Sequence, residues 1–465
     1  MFNLSKVKQP FSKLLGIIAS SPLRRRLIKG LGANAFGQVV TITVQLTSVP
    51  LFLHFWGADL YGKWLILYAM PGYLAMSDIG FASVAGNEMT MLTARQDYEE
   101  ALRVFQSAWV FITSVCSAIG LVVIALAYLL PFDSWFKLEP LPRAQVSLVI
   151  CLLALYTLVS QQGELIDGAF RSDGRYAQGT LLNNVVRVLE LLLTLTSVSL
   201  GGQLVAAALA LLIGRILGLC WMWLMFRRTS QWLSFGYAKA HLETIQVLFR
   251  PAVAFMAFPL SSALLLQGMT LIVGGVLGSV AVVVFTTSRT VTRIVIQFLG
   301  LITRAIWPEL SSAFGSGDLL LARKIYQKAS LLSVWLSLVA SIVLAFVGPW
   351  LLRAWTGRHI VIDIPLFYLM LLLVISTNLW QTSIGALMAT NRHGDFAKIA
   401  LIGSIGGIIL AYVLLKVIGL IAAPLALLVA DIFMGFYAVR KALALLKLTF
   451  SEYLRALFNL RSALN

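Results

Sequence analysis

About twelve uninterrupted apolar stretches recur along this chain from residue 31 to residue 440. Each is about 18 to 25 residues long, the length an α-helix needs to cross a hydrocarbon core of roughly 30 Å. Helices are required because lipid offers no partner to an open backbone N–H or C=O. With 59% hydrophobic and only 12% charged residues, and a mean hydropathy of +0.89, the chain has more apolar surface than a water-soluble core can bury. The expected fold is therefore an all-α polytopic membrane protein. Its spans are expected near 31–53, 64–86, 105–130, 145–166, 179–200 and 203–226, then 250–274, 281–307, 329–352, 364–388, 397–415 and 419–440.

Charge sets the orientation. The first 30 residues carry Lys6, Lys8, Lys13, Arg24, Arg25, Arg26 and Lys29. They read as a basic amphipathic lead-in on the cytoplasmic leaflet rather than a signal peptide. Loops on that side hold pairs such as Arg171 and Arg175 or Arg227 and Arg228, whereas the opposite loops hold few, Lys63, Lys137, Arg143, Arg353, Arg358 and Lys416. Both termini are expected inside. The net charge of +17 is then topological, and a nucleic-acid partner is not expected. Cys116, Cys151 and Cys220 lie in apolar spans without metal-ligand spacing. His54, His241, His359 and His393 form no metal pattern either. No phosphate-binding loop, metalloprotease or serine-hydrolase motif occurs, so no enzyme activity and no cofactor is expected.

The chain repeats itself. Residues 87–109 align without a gap on residues 308–330, setting Glu88 on Glu309, Asp97 on Asp318, Gln106 on Gln327 and, upstream, Gly57 on Gly278. Residues 169–178 align on 389–398 after a one-residue slip, pairing Gly174 with Gly394. An even number of spans per repeat makes the halves parallel, a plan associated with transporters that rock about a midline. The organisation expected is a basic segment 1–30, a six-helix lobe 31–226, an amphipathic cytoplasmic connector 227–248, a second six-helix lobe 249–441 and a cytoplasmic tail 442–465.

Ionisable groups within spans are costly and mark candidate sites. Arg289, Arg293 and Arg304 fall within an arc of about 60° on one helix, with Gln297 and Gly300 nearly in line. Such a face suits a wet cationic groove for an anionic, phosphate-bearing substrate. The plainer reading has Arg304 snorkelling to the interface and the others paired with acids. Asn34, Gln38, Thr41, Gln45 and Ser48 form a polar stripe on the first span. The stripe is expected to face the same lumen and to suit sugar hydroxyls, although such stripes also hold helices together. Arg187 and Glu190, three apart, are candidates to neutralise each other. Arg215 is a further cation, and Asp78, Glu164, Asp167 and Asp431 are further acids within or at the ends of spans. Asp78, Glu190 and Asp431 are the candidates for exchanging a coupling H⁺ or holding Na⁺.

Several residues carry a resemblance. Asn34, the run LFLHFWGADLYGKW with Gly57 and Tyr61–Gly62, the segment Ser77-Asp78-Ile79-Gly80-Phe81, and Phe170 to Tyr176 resemble the polysaccharide-transport branch, the O-antigen and capsule repeat-unit flippases, of the multidrug/oligosaccharidyl-lipid/polysaccharide exporter superfamily. The resemblance implies alternating access between lobes, driven by an ion gradient, for a lipid-linked oligosaccharide carried on undecaprenyl pyrophosphate. It places the protein in a bacterial inner membrane and the cationic cavity on Arg289 and Arg293, with Arg187, Arg215 and Arg304 weaker; the polar residues Asn34, Gln38, Gln45 and Gln297 join them as candidates for binding the substrate. Polymerase or other assembly proteins are the protein partners such a pathway brings, in addition to the bilayer. The rival expectations are a multidrug or cation extruder of the same superfamily, which would favour an acidic cavity, and a membrane glycosyltransferase or polymerase, which would favour a long external loop.

Overall fold

The computed structural model describes residues 22–76, 80–230, 232–255, 257–390, 392 and 394–458. Among these, every regular element is helical. The first half comprises α1 (Pro22–Ala69), α2 (Phe81–Ala94), α3 (Tyr98–Leu129), the short α4 (Phe132–Trp135), α5 (Arg143–Ser172), α6 (Tyr176–Ser199) and α7 (Leu204–Arg227). The second comprises α8 (Leu242–Phe255), α9 (Ala257–Ala263), α10 (Met269–Leu277), α11 (Ser279–Gly315), α12 (Leu319–Trp355), α13 (Ile364–Ala389), α14 (Gly394–Ile418), α15 (Ala422–Leu446) and a terminal α16 (Phe450–Phe458). Among the described residues, ten helices are long and apolar enough to span a membrane. The last, Gly394–Leu446, contains the two segments read from sequence as 397–415 and 419–440, joined by the 3₁₀ turn Gly419–Ile421, and the first, Gly32–Ala75, is interrupted at Gly57 and contains 64–86 only in part.

Equivalent positions of the repeat behave alike. Gly57 (φ 68°, ψ 178°) and Gly278 (φ 90°, ψ −178°) adopt the same left-handed conformation, which side chains with a Cβ rarely reach. Each ends one membrane helix and redirects the next. Asp97 and Asp318 both cap the following helix, their carboxylates accepting from Glu100 N (3.1 Å) and Leu321 N (2.9 Å). The symmetry is imperfect where it matters for shape. After Gly278, α11 runs unbroken for 37 residues, whereas the expected span 64–86 is divided by a 3₁₀ turn, Pro71–Met76, and by left-handed Gly80 (φ 74°) before α2. Pro71 lacks the N–H that would continue the ladder, which accounts for a stop at Ala69.

The halves are joined at the Gly57/Gly278 end. One core cluster there draws Phe52, Leu53, Ile66 and Leu67 together with Met269, Val273, Val282 and Phe285. Gly62 lies so near the Ser279 backbone that an added Cβ would stand 2.2 Å from its carbonyl oxygen. Polar contacts reinforce the seam: Ser279 Oγ donates to Asp59 Oδ1 (2.5 Å), buried Lys63 donates to Asp59 Oδ2 (2.7 Å) and to the Glu139 carbonyl (2.6 Å), and Lys137 reaches the Val276 carbonyl (2.7 Å). At the Asp97/Asp318 end the clusters are separate. Phe81, Phe105, Phe170 and Phe226 belong to the first half and its connector, and Leu310, Tyr326 and Tyr453 to the second. The connector packs on α3, where the Gln106 amide donates to the Ser234 carbonyl (3.1 Å) and accepts from Lys239 N (2.8 Å).

Candidate functional site

In the second half, Arg289 and Arg293 stand one turn apart on α11 and line a cavity of about 330 Å³ with residues of α9, α13, α14 and α15, among them Trp380, Phe396 and Asp431. Arg289 is satisfied without an acid. Its Nη1 donates to the Leu266 carbonyl (2.9 Å), its Nη2 to Thr270 Oγ1 (3.1 Å), and its guanidinium lies 4.9 Å from the Phe285 ring centre. Leu266 belongs to a π-helical turn, Leu264–Gly268, the kind of widened turn that recurs at functional sites. Arg293 is half-buried and has neither a hydrogen bond nor an ion pair among the described residues. Asp431, buried in the same cavity, accepts from Ser376 Oγ (2.6 Å), Thr377 Oγ1 (2.9 Å) and Trp380 Nε1 (3.0 Å). Its three partners are all neutral, so among the described residues Arg289 and Asp431 are each held by dipoles rather than by an opposite charge.

The first half holds a cavity of about 480 Å³ lined by Thr41, Gln45 and Ser48 of α1, Tyr156 of α5, Arg187 and Glu190 of α6, and Arg215 of α7. Here the charges are paired. Arg215 Nε and Nη2 reach the two oxygens of Glu190 at 2.6 and 3.2 Å, and Tyr156 donates to Glu190 (3.3 Å) while its ring lies under the guanidinium. The expected neutralisation of Glu190 by Arg187 therefore does not form. Arg187 turns instead to Thr41 Oγ1 (3.4 Å), because α7 brings the Arg215 guanidinium into ion-pair contact with the carboxylate.

A third cavity, of about 770 Å³, continues along α1 and α6 towards the Asp97/Asp318 end. Asn34, Gln38, Thr41, Glu164, Asp167, Arg171, Tyr176, Thr180, Asn183, Asn184 and Arg187 line it, with Leu301 of α11. Tyr176 donates to Asn34 (2.9 Å) and Asn183 to Asp167 (2.7 Å). Gln38 donates to Gln297 Oε1 (3.0 Å) across the two halves.

The cavity of Arg289 and Arg293 has no lining residue in common with the two cavities along the α1 stripe, which share Thr41 and Arg187. The stripe is shared between the two first-half cavities and meets α11 at Gln38–Gln297. Asp78 and the Arg304 side chain lie outside the described residues. Residues the sequence reading passed over are Trp380, Ser376 and Thr377 around Asp431, Tyr156 beside Arg215, and Thr180, Asn183, Asn184 and Thr194 on α6. A signal was present for α6, because 180, 183, 187, 190 and 194 follow helical spacing on one face.

No protein-family model matches the chain, and no curated protein matches it in sequence. Among solved structures it is similar to an inward-facing multidrug resistance MATE family transporter of the MOP superfamily (13% identity, 87% of this chain and 94% of that one, TM-score 0.70). It is likewise similar to the lipid II flippase MurJ in an inward closed conformation (15% identity, 93% and 90%, TM-score 0.65). A third similar structure is a MOP superfamily transporter from Pyrococcus furiosus described as having a binding pocket of reverse polarity (13% identity, 91% and 95%, TM-score 0.56). At such identities the likeness speaks for the fold: this is a multi-pass, all-helical membrane protein with the architecture of the MOP exporters.

Proposed function

We propose that this protein is a transporter that carries a lipid-linked oligosaccharide, borne on a polyprenyl pyrophosphate, from the cytoplasmic to the periplasmic leaflet by alternating access of its two halves. The observation that carries the reading is Arg293, a guanidinium inside a membrane cavity with no acid paired to it among the described residues. A charge held there without a partner is a standing cost unless a ligand supplies the anion. A pyrophosphate offers oxygens suited to two guanidinium groups one helical turn apart, and water in the cavity serves in its absence. Supporting the lipid-linked substrate are the resemblance to repeat-unit flippases and the structural likeness to the lipid II flippase MurJ. Flipping requires no bond to be made or broken, in keeping with the absence of enzymatic motifs. The ion gradient as energy source is part of the proposal, with Asp431 and the Arg215–Glu190 pair as the groups placed to respond to it.

In cells deleted for the protein, we expect Arg293→Ala to restore less than a tenth of wild-type periplasmic glycan at equal protein abundance, and Arg293→Lys to restore part of it. Undiminished glycan with Arg293→Ala rejects the role. One observation favours a second reading: Asp431 has no cationic partner among the described residues and so could receive a cationic drug, as in a multidrug extruder with the fold of the MATE neighbours. Gradient-driven export of lipophilic cations from proteoliposomes, lost in Asp431→Asn, would establish that reading in place of the first.

A further inference from the structure

We propose that the polar cavity of the first half is a glycan subsite, separate from the arginine cavity and taking one or two neutral, hydroxyl-rich sugars while the pyrophosphate sits at Arg289 and Arg293. This rests on the function proposed above and divides its substrate between two places.

The amide side chains of this cavity use only part of their hydrogen-bonding capacity among the described residues. Asn34 accepts from Tyr176 through Oδ1, Asn183 donates to Asp167 through Nδ2, Asn184 donates to the Thr180 carbonyl (2.9 Å) through Nδ2, and Gln38 donates to Gln297 through Nε2. Each amide is thereby fixed at one end. The other ends, Asn34 Nδ2, Asn183 Oδ1, Asn184 Oδ1 and Gln38 Oε1, have no partner among the described residues, and all four side chains line the cavity. An array of amides, each held at one end and offering one donor or acceptor, matches sugar hydroxyls, each of which gives one hydrogen bond and takes others. Asp167 extends the array: Oδ2 is taken by Asn183, while Oδ1 is buried without a donor, an acceptor unpaid within the protein.

Position supplies the second strand. Gln297 lies one turn beyond Arg293 on the same helix, a rise of about 6 Å, and Leu301 one turn further forms part of the polar cavity wall. A pyrophosphate held at Arg293 would thus point its attached sugar along α11 to the Gln38–Gln297 bridge, the entrance to the amide-lined space. The volume of about 770 Å³ exceeds that of the arginine cavity and accommodates the hydrophilic part of the substrate. The bland reading, a vestibule that merely holds water, predicts no preference for a glycosylated lipid.

The test uses the full-length protein in lipid nanodiscs and two probes: the polyprenyl-linked glycan extracted from membranes of the cells that make the protein, and the same preparation after mild acid has removed the sugar. Binding is read by native mass spectrometry. The expected result is a preference of roughly tenfold or more for the glycosylated lipid in the wild type, abolished in Asn183→Ala and, independently on another helix, in Asn34→Ala, with affinity for the bare lipid unchanged in both. Arg293→Ala is expected to weaken both lipids alike. Equal binding of the two lipids by the wild type overturns the subsite and leaves the proposed function standing. Retained preference in both asparagine variants overturns it too, as does loss of the bare lipid by those variants while folded. Failure of the wild type to bind either lipid overturns the proposed function, and the subsite falls with it.

Discussion

Three arginines inside the membrane are stabilised here in three ways, and the differences predict different responses to mutation. Arg215 has a carboxylate partner, Arg289 a π-turn carbonyl and a hydroxyl, and Arg293 nothing from the described protein. Glu190→Gln would leave Arg215 buried without its counter-charge, and we expect a loss of about 3–5 kcal/mol, read as a lowered unfolding temperature in detergent. Arg293→Ala removes a charge with no protein partner, so the same measurement should show no loss of stability. The pairs themselves were not legible in the sequence. Local spacing offers Arg187 to Glu190, but Glu190 is 25 positions from its actual partner in the chain, and which arginine wins is decided by how α6 and α7 face each other. Asp431 was visible as a buried acid, yet its donors Ser376, Thr377 and Trp380 went unweighed because hydroxyls and an indole cost little in a span and do not stand out as charges do.

At the level of elements, the legible features were those that the backbone itself enforces. The pairing of Gly57 with Gly278 and of Asp97 with Asp318 emerged from self-comparison because a left-handed turn accepts almost only glycine and a helix start favours an aspartate cap. Where the repeat diverges, at the 3₁₀ turn after Pro71 and the π turn Leu264–Gly268, the apolar pattern continues through the irregularity and hydropathy alone reads an unbroken span. The glycine claim is testable by contrast. Gly278→Ala has open space around its added methyl but a forbidden φ, and should cost about 1–3 kcal/mol. Gly406→Ala, also in open space but within α14, should be neutral or stabilising by about 0.5–1 kcal/mol. Parallel thermal melts of the two variants check this, and equal losses would show that added bulk rather than backbone conformation is at issue.

Across the whole molecule, the two halves share a dry core at the Gly57/Gly278 end and keep separate cores at the other. In the proposed alternating access, bridging contacts such as Ser279 to Asp59 and Lys137 to the Val276 carbonyl would have to part for the Gly57/Gly278 end to open. The all-helical plan and the membrane class followed from span length and composition, since lipid permits so few alternatives. The number of cavities did not follow, because a polar stripe on α1 gives no indication of whether α11 or α6 will complete the space it faces. The proposed transport puts the unpaired Arg293 at its centre, and the most direct test is to reconstitute the purified protein in vesicles and follow transbilayer movement of a fluorescent polyprenyl-pyrophosphate-linked sugar under an imposed ion gradient. The account predicts movement by the wild type that falls at least tenfold in Arg293→Ala. Movement unaffected by Arg293→Ala, or none in the wild type alongside gradient-driven export of lipophilic cations, would contradict it.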